Sequence, residues 1–315
     1  MKQYVIAKEE EGQQVFKFLR KLLPKAPKGL LHKSLRKKNI LLNGVKSDGH
    51  ELLKKGDRIA VFFSDDTITA FSSLPVTLRS SSLPSLSQWI LYEDEHVILV
   101  NKPAGLLTQG DASKAPSLND ALLSYTGRGR SESPSVCNRL DRNTSGIVIC
   151  GKTAVSLKTM NKLLKNRRVE KYYLTVVYGS TPEKETLSGF LTKNQTANRV
   201  SISLEKSLDS RSVKTSYKKI KDLTLAGIPC SLLTVHLITG RSHQIRAHMA
   251  SVGHPLLGDR KYGNRDSLSL SEKLSLPFQL LHAWKLVFPP RIAELPALSG
   301  KAFTANPPWE DILRL

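Results

Sequence analysis

The sequence has little cysteine, few acidic residues and no long apolar run. Its three cysteines, Cys137, Cys150 and Cys230, form neither an even-numbered disulfide set nor a Cys-x-x-Cys pair, so a disulfide scaffold and the usual zinc spacings are excluded. We expect free, buried thiols. No stretch reaches the roughly 18 apolar residues of a transmembrane helix, and the amino-terminal residues lack the apolar core of a signal peptide. These absences predict a cytoplasmic protein that does not enter a membrane.

The shortage of acidic residues leaves a large positive charge. Against 27 Asp and Glu stand 48 Lys and Arg, which gives a formal net charge of +21 in 315 residues. This excess is unusual for an enzyme of small neutral metabolites and favours a polyanionic partner. The chain is long enough for a large domain and a small one. Residues 1–64 are the more densely basic part, with 15 Lys and Arg against 6 Asp and Glu.

Residues 1–64 predict two short helices followed by a hairpin. Apolar residues recur at helical spacing from Val15 to Leu23, and Pro24 ends this first helix. A second helix is predicted from about Lys28, with leucines on one face and cations off it. Strands are predicted at 40–42 and 56–63, with a turn at Asn43-Gly44 between them. The cations of the second helix form what we call the basic ridge, which consists of Lys33, Arg36, Lys37 and Lys38.

Two basic helices followed by these strands resemble the αL RNA-binding motif, a small domain shared by a small-subunit ribosomal protein and many RNA-modifying enzymes. The resemblance covers about residues 12–64 and implies that the basic ridge contacts RNA. A run of cations taken alone gives equal support to a solvated surface. Residues 65–88 shift to Ser, Thr, Leu and Pro, which predicts a linker. The expected domains are therefore 1–64 and 89–315.

The larger segment contains an acidic residue set among cations. Asp141 lies between Arg139 and Arg142, and the run 143–146 predicts a turn before an apolar strand at 147–150. A carboxylate beside an arginine favours its ionised form, so Asp141 is expected to be available as a nucleophile or a base. The alternative is a turn aspartate with an ion-pair neighbour, because such pairs are common in structural roles.

Two further elements flank this turn in the sequence. Before it, residues 97–100 predict a buried strand and Asn101 to Gly105 a turn, in which we assign Lys102 no catalytic role. After it, residues 153–168 predict a basic helix and 171–179 a strand that contains Tyr173. A tyrosine in a strand is by itself most often a packing residue. Residues 190–217 are polar, and we expect an irregular insertion with edge strands there.

A third element runs from Thr239 to Arg246. A strand at 232–237 meets Gly240, and a helix is predicted to start near Ser242, so that early helical side chains and free backbone N–H groups converge on one spot that suits an anion. Three histidines lie in this region, but their spacings of five and six residues fit neither a helix face nor a usual zinc site. We therefore predict no metal. The three are His243, His248 and His254.

The string Arg139-Leu-Asp-Arg-Asn-Thr-Ser-Gly146 resembles the active-site signature of the RluA-type family of RNA pseudouridine synthases. That signature usually begins with a histidine, which Asn138 replaces here. The strand around Tyr173 is similar to the Lys-x-Tyr element of the family, and residues 239–246 are similar to its Thr-Gly-Arg-x-His-Gln-Ile-Arg element. The three occur in the order of the family, and the resemblance covers residues 89 to about 310.

The resemblance implies an α+β fold with a mixed, largely antiparallel sheet and an isomerase that needs no cofactor. It implies that Asp141, Tyr173 and Arg246 are catalytic and that Arg139, Arg241, His243 and Gln244 contact RNA. The expected substrate is a uridine of large-subunit ribosomal RNA, and the expected state is a monomer. Two alternatives stay open at this point, namely a synthase that acts on transfer RNA and a protein that binds RNA without catalysis.

Overall fold

The computed structural model describes residues 2–72, 85–111, 113, 115–127, 134–194 and 197–309. These residues fall into two compact units, a smaller one within 2–72 and a larger one within 85–309. Across the described ranges, no helix has both the length and the apolar character needed to cross a bilayer. All three cysteines are free thiols, as predicted, and burial raises the pKa of Cys137 to about 12.

The smaller unit is a four-stranded antiparallel sheet with helices packed on it. Its strand order is β1-β4-β2-β3. The predicted helices and the hairpin are confirmed, and both helices begin at the predicted residues, whereas the last strand is two residues shorter at each end. Its elements in chain order are β1 Lys2–Val5, α1 Val15–Leu22, α2 Lys28–Arg36, β2 Ile40–Leu42, β3 Val45–Lys46, β4 Arg58–Val61 and α3 Asp65–Ser72.

Both ends of the predicted linker belong to folded units rather than to a linker. Leu19 and Leu35 are buried between the helices and the sheet, together with Ile59 of β4. Residues 65–72, which we expected to belong to the linker, instead form α3, because Ile68 is only 3 % exposed and packs into this core. Leu86 near the other end of the predicted linker is buried in the core of the larger unit. Residues 73–84 lie outside the described residues.

The larger unit is built on one extended sheet. Its main path runs β11-β10-β12-β13-β9-β14-β8-β6-β5, with β15 beside β14 and β7 beside β8. The strands in chain order are β5 Ile90–Glu93, β6 Val97–Lys102, β7 Ser135–Val136, β8 Ser145–Gly151, β9 Glu170–Tyr178, β10 Lys184–Asn194, β11 Arg199–Ser203, β12 Arg211–Leu225, β13 Ile228–Leu237, β14 Leu281–Val287 and β15 Ala302–Thr304. The helices are α4 Leu118–Thr126, α5 Ala154–Lys165, α6 Gln244–Ser251 and α7 Arg265–Lys273.

The predicted fold class is confirmed. Among the described strands, every ladder is antiparallel except that between β14 and β8. The expectation for 190–217 is confirmed in its edge strands, because β11 lies at the end of the sheet, but the irregular insertion is wrong, since most of the described segment lies in the regular strands β10, β11 and β12. Alternate buried residues of β12, such as Val213, Thr215 and Tyr217, anchor it to the core.

The junction between β14 and β8 joins the two halves of this sheet. Gly146 has a φ of 114°, and a Cβ there would lie 2.5 Å from the Ala283 nitrogen, so only glycine allows the two backbones to approach this closely. Next to it, Ser145 Oγ lies 2.8 Å from His282 Nδ1, and His282 Nε2 lies 2.9 Å from the Ala305 carbonyl oxygen. Burial lowers the pKa of His282 to about 4, so this link is made by a neutral imidazole.

Candidate active site

A turn just before β8 presents Asp141 to a cleft of about 1140 Å³ in the larger unit. The Thr144 N–H donates to the Asp141 carbonyl oxygen at 3.1 Å, which closes the turn. At the start of the loop, the Asn138 Oδ1 accepts from the Ile149 N–H at 2.7 Å. The residue that replaces the usual histidine therefore fixes this loop to β8, and the side chain of Asp141 is left a quarter exposed at its edge.

A second loop, residues 103–108 after β6, clamps the Asp141 turn from the side. Thr108 binds the backbone of Leu140 twice, because its hydroxyl donates to the Leu140 carbonyl oxygen at 2.8 Å and accepts from the Leu140 N–H at 3.1 Å. The Gly105 N–H donates to the Arg142 carbonyl oxygen at 2.9 Å, and Arg142 Nε donates to the Gly105 carbonyl oxygen at 3.0 Å. The residues on both sides of Asp141 are thus held by backbone contacts, which fixes the carboxylate in position.

Lys102 lies beneath both loops and is fully buried. Its ammonium donates to the carbonyl oxygens of Pro103 and Leu106 at 2.8 Å each and to that of Arg142 at 3.1 Å. Burial lowers the pKa of Lys102 to about 7, although the charge of Asp141 opposes this shift. Three donors meeting three acceptors indicate a structural role in joining the loops, in agreement with the absence of a catalytic assignment.

We expect Lys102→Met to lower the free energy of unfolding by about 2 kcal/mol at pH 7, because carbonyl groups of both loops lose their donor. Because the pKa in the folded state lies below the ordinary value of about 10.4, the unfolded chain holds more protons between those two pH values. The contribution of Lys102 to stability therefore rises with pH in that window. Urea unfolding of both proteins from pH 7 to 10 measures the difference, and a difference independent of pH would contradict the prediction.

Arg246 on α6 connects Asp141 to a second, buried carboxylate. Its Nη1 donates to Asp141 Oδ2 at 2.9 Å, while its Nε and Nη2 donate to the two carboxylate oxygens of Asp259 at 2.7 and 2.8 Å. Burial alone would lower the pKa of Arg246, but the hydrogen bonds and charges of Asp259 and Asp141 outweigh it and raise that pKa. The guanidinium therefore stays charged and points one N–H group at Asp141.

Asp259 holds Arg246 from behind, and sequence analysis assigned it no role. Its side chain is fully buried, and Oδ1 also accepts from the backbone N–H groups of Lys261 and Tyr262 at 3.0 and 3.1 Å. Asp259 lies within the stretch of 89 to about 310 that resembles the family, but none of the three quoted motifs contains it. The available signal was an aspartate in a glycine-bounded turn, Gly258 to Gly263, which can offer its carboxylate both to its own backbone and to a partner.

His243 lines the cleft beside the ion pair, and the buried Tyr262 packs against His243 and Arg246. His243 Nδ1 lies 2.9 Å from the Tyr262 hydroxyl, which accepts from the Val200 N–H and can donate its own proton to His243. His243 Nε2 then faces Asp141 Oδ2 at 3.8 Å. Burial lowers the pKa of His243 against the opposing charge of Asp141, so the imidazole is neutral near pH 7. The Arg246 guanidinium carbon lies 5.1 Å from the centre of the Tyr262 ring.

Tyr173 reaches the cleft from the middle of the sheet. It pairs with Val235 of β13 and with Ala283 of β14, and the residue is only 7 % exposed. Burial raises the pKa of its phenol, and the negative charge of Asp141 raises it further. Tyr173 is therefore a protonated phenol at neutral pH in the free protein.

The remaining predicted site residues divide into two kinds. The side chains of Arg139 and Arg241 are exposed at the cleft and make no hydrogen bond or ion pair within the described residues. Gln244 differs from the prediction of an RNA contact, because it is 1 % exposed and its amide is fully engaged with Thr239, Arg241, Lys214 and Thr215. Its role is to hold the backbone where α6 begins. Thr239 and Gln244 thus brace the start of the helix that bears Arg246.

The start of α6 is also displaced from the prediction. Its first residue is Gln244 rather than about Ser242, because His243 adopts a left-handed conformation with φ 54° and caps the helix. Of the other two histidines, His248 lies 2.8 Å from the Thr215 hydroxyl, and His254 lies 3.0 Å from the Tyr178 carbonyl oxygen. Over the ranges that the structure describes, no group of three His, Cys, Asp or Glu side chains is placed to hold a metal ion.

Comparison with known proteins places this geometry in a family. Residues 96–251, which contain the Asp141 turn, Tyr173 and Arg246, match the family model described as RNA pseudouridylate synthase. A ribosomal large subunit pseudouridine synthase C of Rickettsia bellii is 32 % identical over 287 residues, which are 88 % of this chain and 89 % of that protein. The chain belongs to the RluA-type family of RNA pseudouridine synthases. It is therefore an isomerase that acts on RNA.

Other pseudouridine synthases agree in sequence and in structure. An uncharacterized RNA pseudouridine synthase of Mycoplasma genitalium is 32 % identical over 293 residues, which cover 91 % of this chain and 88 % of that protein. The solved structure of human RNA pseudouridylate synthase domain containing 1 has a TM-score of 0.57 and 25 % identity, with coverage of 71 % of this chain and 85 % of that one. The prediction of a pseudouridine synthase from the three motifs is confirmed.

Proposed function

We propose that the protein converts one or more uridines of large-subunit ribosomal RNA to pseudouridine, with Asp141 as the reacting carboxylate and without a cofactor. The Rickettsia relative is named as a synthase of the large ribosomal subunit, which supports this substrate. The reaction breaks the bond from the ribose to the uracil nitrogen and re-attaches the base through carbon five. Because no oxidation state changes, one carboxylate and a proton acceptor are chemically sufficient.

The observation that carries this proposal is the ion-pair chain from Asp141 through Arg246 to Asp259. Asp259 accepts from Nε and Nη2 of Arg246, so the third nitrogen, Nη1, is held toward Asp141 by a charge-assisted bond of 2.9 Å. A guanidinium at this distance favours the ionised form of a carboxylate, which a nucleophile or base requires. Asp141 would then attack the anomeric carbon or abstract a proton from the adjacent sugar carbon, and either reaction uses the same carboxylate.

Tyr173 is proposed to stack on the uracil and to assist the removal of the proton from carbon five. Tyr173 and Asp141 line the same cleft, and the charge of Asp141 raises the pKa of the Tyr173 phenol. Because the phenol is protonated in the free enzyme, it could accept that proton only while passing its own proton on. Tyr173 would therefore act as a relay rather than as a preformed phenolate.

We expect Tyr173→Phe to form pseudouridine about 100-fold more slowly or worse, because the ring remains but the relay is lost. Single-turnover rates at saturating RNA measure this step. The Kd for RNA should stay within a factor of two or three of the wild-type value, a difference of about 0.4 to 0.65 kcal/mol in binding free energy. A variant with the wild-type rate would restrict Tyr173 to stacking.

Arg139 is proposed to fill the place that the flipped uridine leaves in folded RNA. A base inside a helix must leave its stack before a side chain can reach its sugar, at a cost of a few kcal/mol (about 2–4). Arg139 is exposed at the rim and free of partners within the described residues, two positions from Asp141. Arg241, also exposed there, and His243 would contact the RNA beside it. Asn138 would affect the position of Arg139, because its hydrogen bond to Ile149 of β8 fixes the start of the loop that carries Arg139.

The smaller unit is proposed to be an αL-type RNA-binding domain that contacts phosphates through the basic ridge. All four ridge residues are exposed, on α2 and the turn that follows it. Their contacts would be largely independent of sequence, so that binding weakens steeply as salt is raised. The protein is proposed to do this as a monomer.

Replacing two ridge residues, Lys37 and Lys38, by Gln is expected to reduce the slope of log Kd for RNA against log salt by about 1 to 2. The matched control replaces Lys54 and Lys55, which are equally exposed in the same unit but lie outside the ridge. Titration of ribosomal RNA at several salt concentrations measures both slopes. Equal slopes in the two double variants would show that the basic ridge does not contact RNA.

Pseudouridine mapping of total RNA tests the proposed function directly. Cells that lack the gene should lose pseudouridine at one or more positions of large-subunit ribosomal RNA, and the wild-type gene should restore them. An Asp141→Asn gene should not. Loss at a transfer RNA position alone would move the substrate to transfer RNA, while restoration by the Asp141→Asn gene would exclude Asp141 as the reacting group.

A further inference from the structure

Lys171, on the same strand as Tyr173, is a partly desolvated ammonium without an acceptor. Its side chain is half-buried at the cleft, and within the described residues it makes no hydrogen bond or ion pair. Its Nζ lies close to the backbone of Gly240, because a Cβ added to Gly240 would be only 3.2 Å from this nitrogen. A cation removed from water without a partner is unfavourable unless an anion binds there.

The positive charge of Arg167 makes this arrangement less favourable still. Burial lowers the pKa of Lys171, and the positive charge of Arg167 lowers it further. Arg167 is exposed and lines the same cleft. Lys171 and Arg167 repel one another at the cleft, and an anion bound between them would offset this repulsion.

The backbone of Arg167 fixes its position at the end of α5. α5 ends in a Schellman turn, in which the N–H groups of Arg167 and Arg168 donate to the carbonyl oxygens of Leu164 and Leu163 at 3.2 and 2.9 Å. Arg167 occupies the left-handed position of this turn with φ 56°, where glycine is usual. Lys38 after α2 and Ser275 after α7 take the same left-handed position, so the turn fixes where Arg167 stands beside the cleft, and a glycine would fit its backbone.

The strand geometry selects which anion would bind. Lys171 and Tyr173 are two residues apart on β9, so their side chains leave the same face about 7 Å apart. A nucleotide whose base lies on Tyr173 has its own phosphodiester groups within reach of such a distance. We propose that Lys171 and Arg167 form a subsite for a phosphodiester group of the RNA that flanks the target uridine. This inference rests on the proposed function, because it takes Tyr173 to contact the uracil.

The test compares Lys171→Met and Arg167→Gly with a control, Lys218→Met, which removes an exposed lysine that does not line the cleft. Single-turnover pseudouridine formation is measured on unmodified large-subunit ribosomal RNA over a range of RNA and salt concentrations. Lys171→Met should raise the half-saturating RNA concentration about tenfold, because a charge-assisted contact is lost. The slope against log salt should fall by about 0.7 to 0.9. The control should change neither value.

Arg167→Gly separates binding from folding. Because glycine relieves the left-handed strain, its unfolding midpoint should stay at or above that of the wild type, while RNA binding and its salt slope fall as for Lys171→Met. This variant decides the matter if Lys171→Met does not fold. Wild-type half-saturation and slope in both variants would overturn the subsite. If the wild type forms no pseudouridine, the proposed function fails, and the RNA Kd and its salt slope in the same proteins decide on the subsite.

Discussion

Asp141→Asn is expected to reduce pseudouridine formation by about four orders of magnitude or more, the scale seen when a reacting side chain is removed. The amide oxygen can still accept from Arg246 at the same place, but it is neither a nucleophile nor a base. Tritium released from RNA labelled at carbon five of uridine measures the rate. A rate above about 1 % of the wild type would contradict a direct role for Asp141.

The same variant should fold normally, which makes the loss of activity interpretable. Asp141 is a quarter exposed, and its ion pair with Arg246 is partly solvated. We therefore expect a change of less than about 1 kcal/mol in the free energy of unfolding. RNA affinity should also be close to that of the wild type, because Arg139, Arg241 and the basic ridge are untouched.

Asp259→Asn is expected to have the second large effect, and on stability as well as on activity. The carboxylate is fully buried and accepts two bonds from Arg246, so its neutralisation leaves a buried guanidinium with only the partly exposed Asp141 as a counter-charge. Breaking a buried pair in this way costs about 3–5 kcal/mol. Activity should fall too, because Arg246 is no longer held toward Asp141.

Chemical unfolding followed by circular dichroism checks the loss of stability. The control, Asp209→Asn, removes one carboxylate from an exposed position of the same unit and should leave the free energy of unfolding unchanged. If Asp259→Asn also unfolded within about 1 kcal/mol of the wild type, the buried ion pair would not hold Arg246, and the support of Asp141 would have to come from elsewhere.

Local sequence patterns predicted most elements of the fold because each is a property of neighbouring residues. The apolar runs of β6 and β8 and the helical spacing of α1 and α2 are examples. The helix α3 was missed because its apolar positions, Ile68 and Phe71, are few and lie in a polar segment that reads as a linker. The length of β12 was missed because most of the exposed residues along its 15 positions are polar.

The site was less accessible to reasoning from the residues alone. A pair such as Asp141 with Arg246 joins residues 105 positions apart, and only the resemblance connected them in advance. The function of Asp259 depends on side-chain geometry within a turn, and that of Lys102 on three carbonyl groups, so neither has a signal in composition or periodicity. Gln244 is a case in which the motif predicted too much, because this polar residue was expected to contact RNA but is buried beside the cleft.

The position of β14 in the sheet has a consequence for how the enzyme matures during synthesis. β14 lies between β9, which bears Tyr173, and β8, which follows the Asp141 turn, so the strand that joins these two in the sheet is synthesised after both. The contact between Ser145 and His282 spans 137 residues, a separation that slows folding. We therefore expect a nascent chain that has not yet released residues 281–287 to lack an assembled catalytic centre and to be inactive toward RNA.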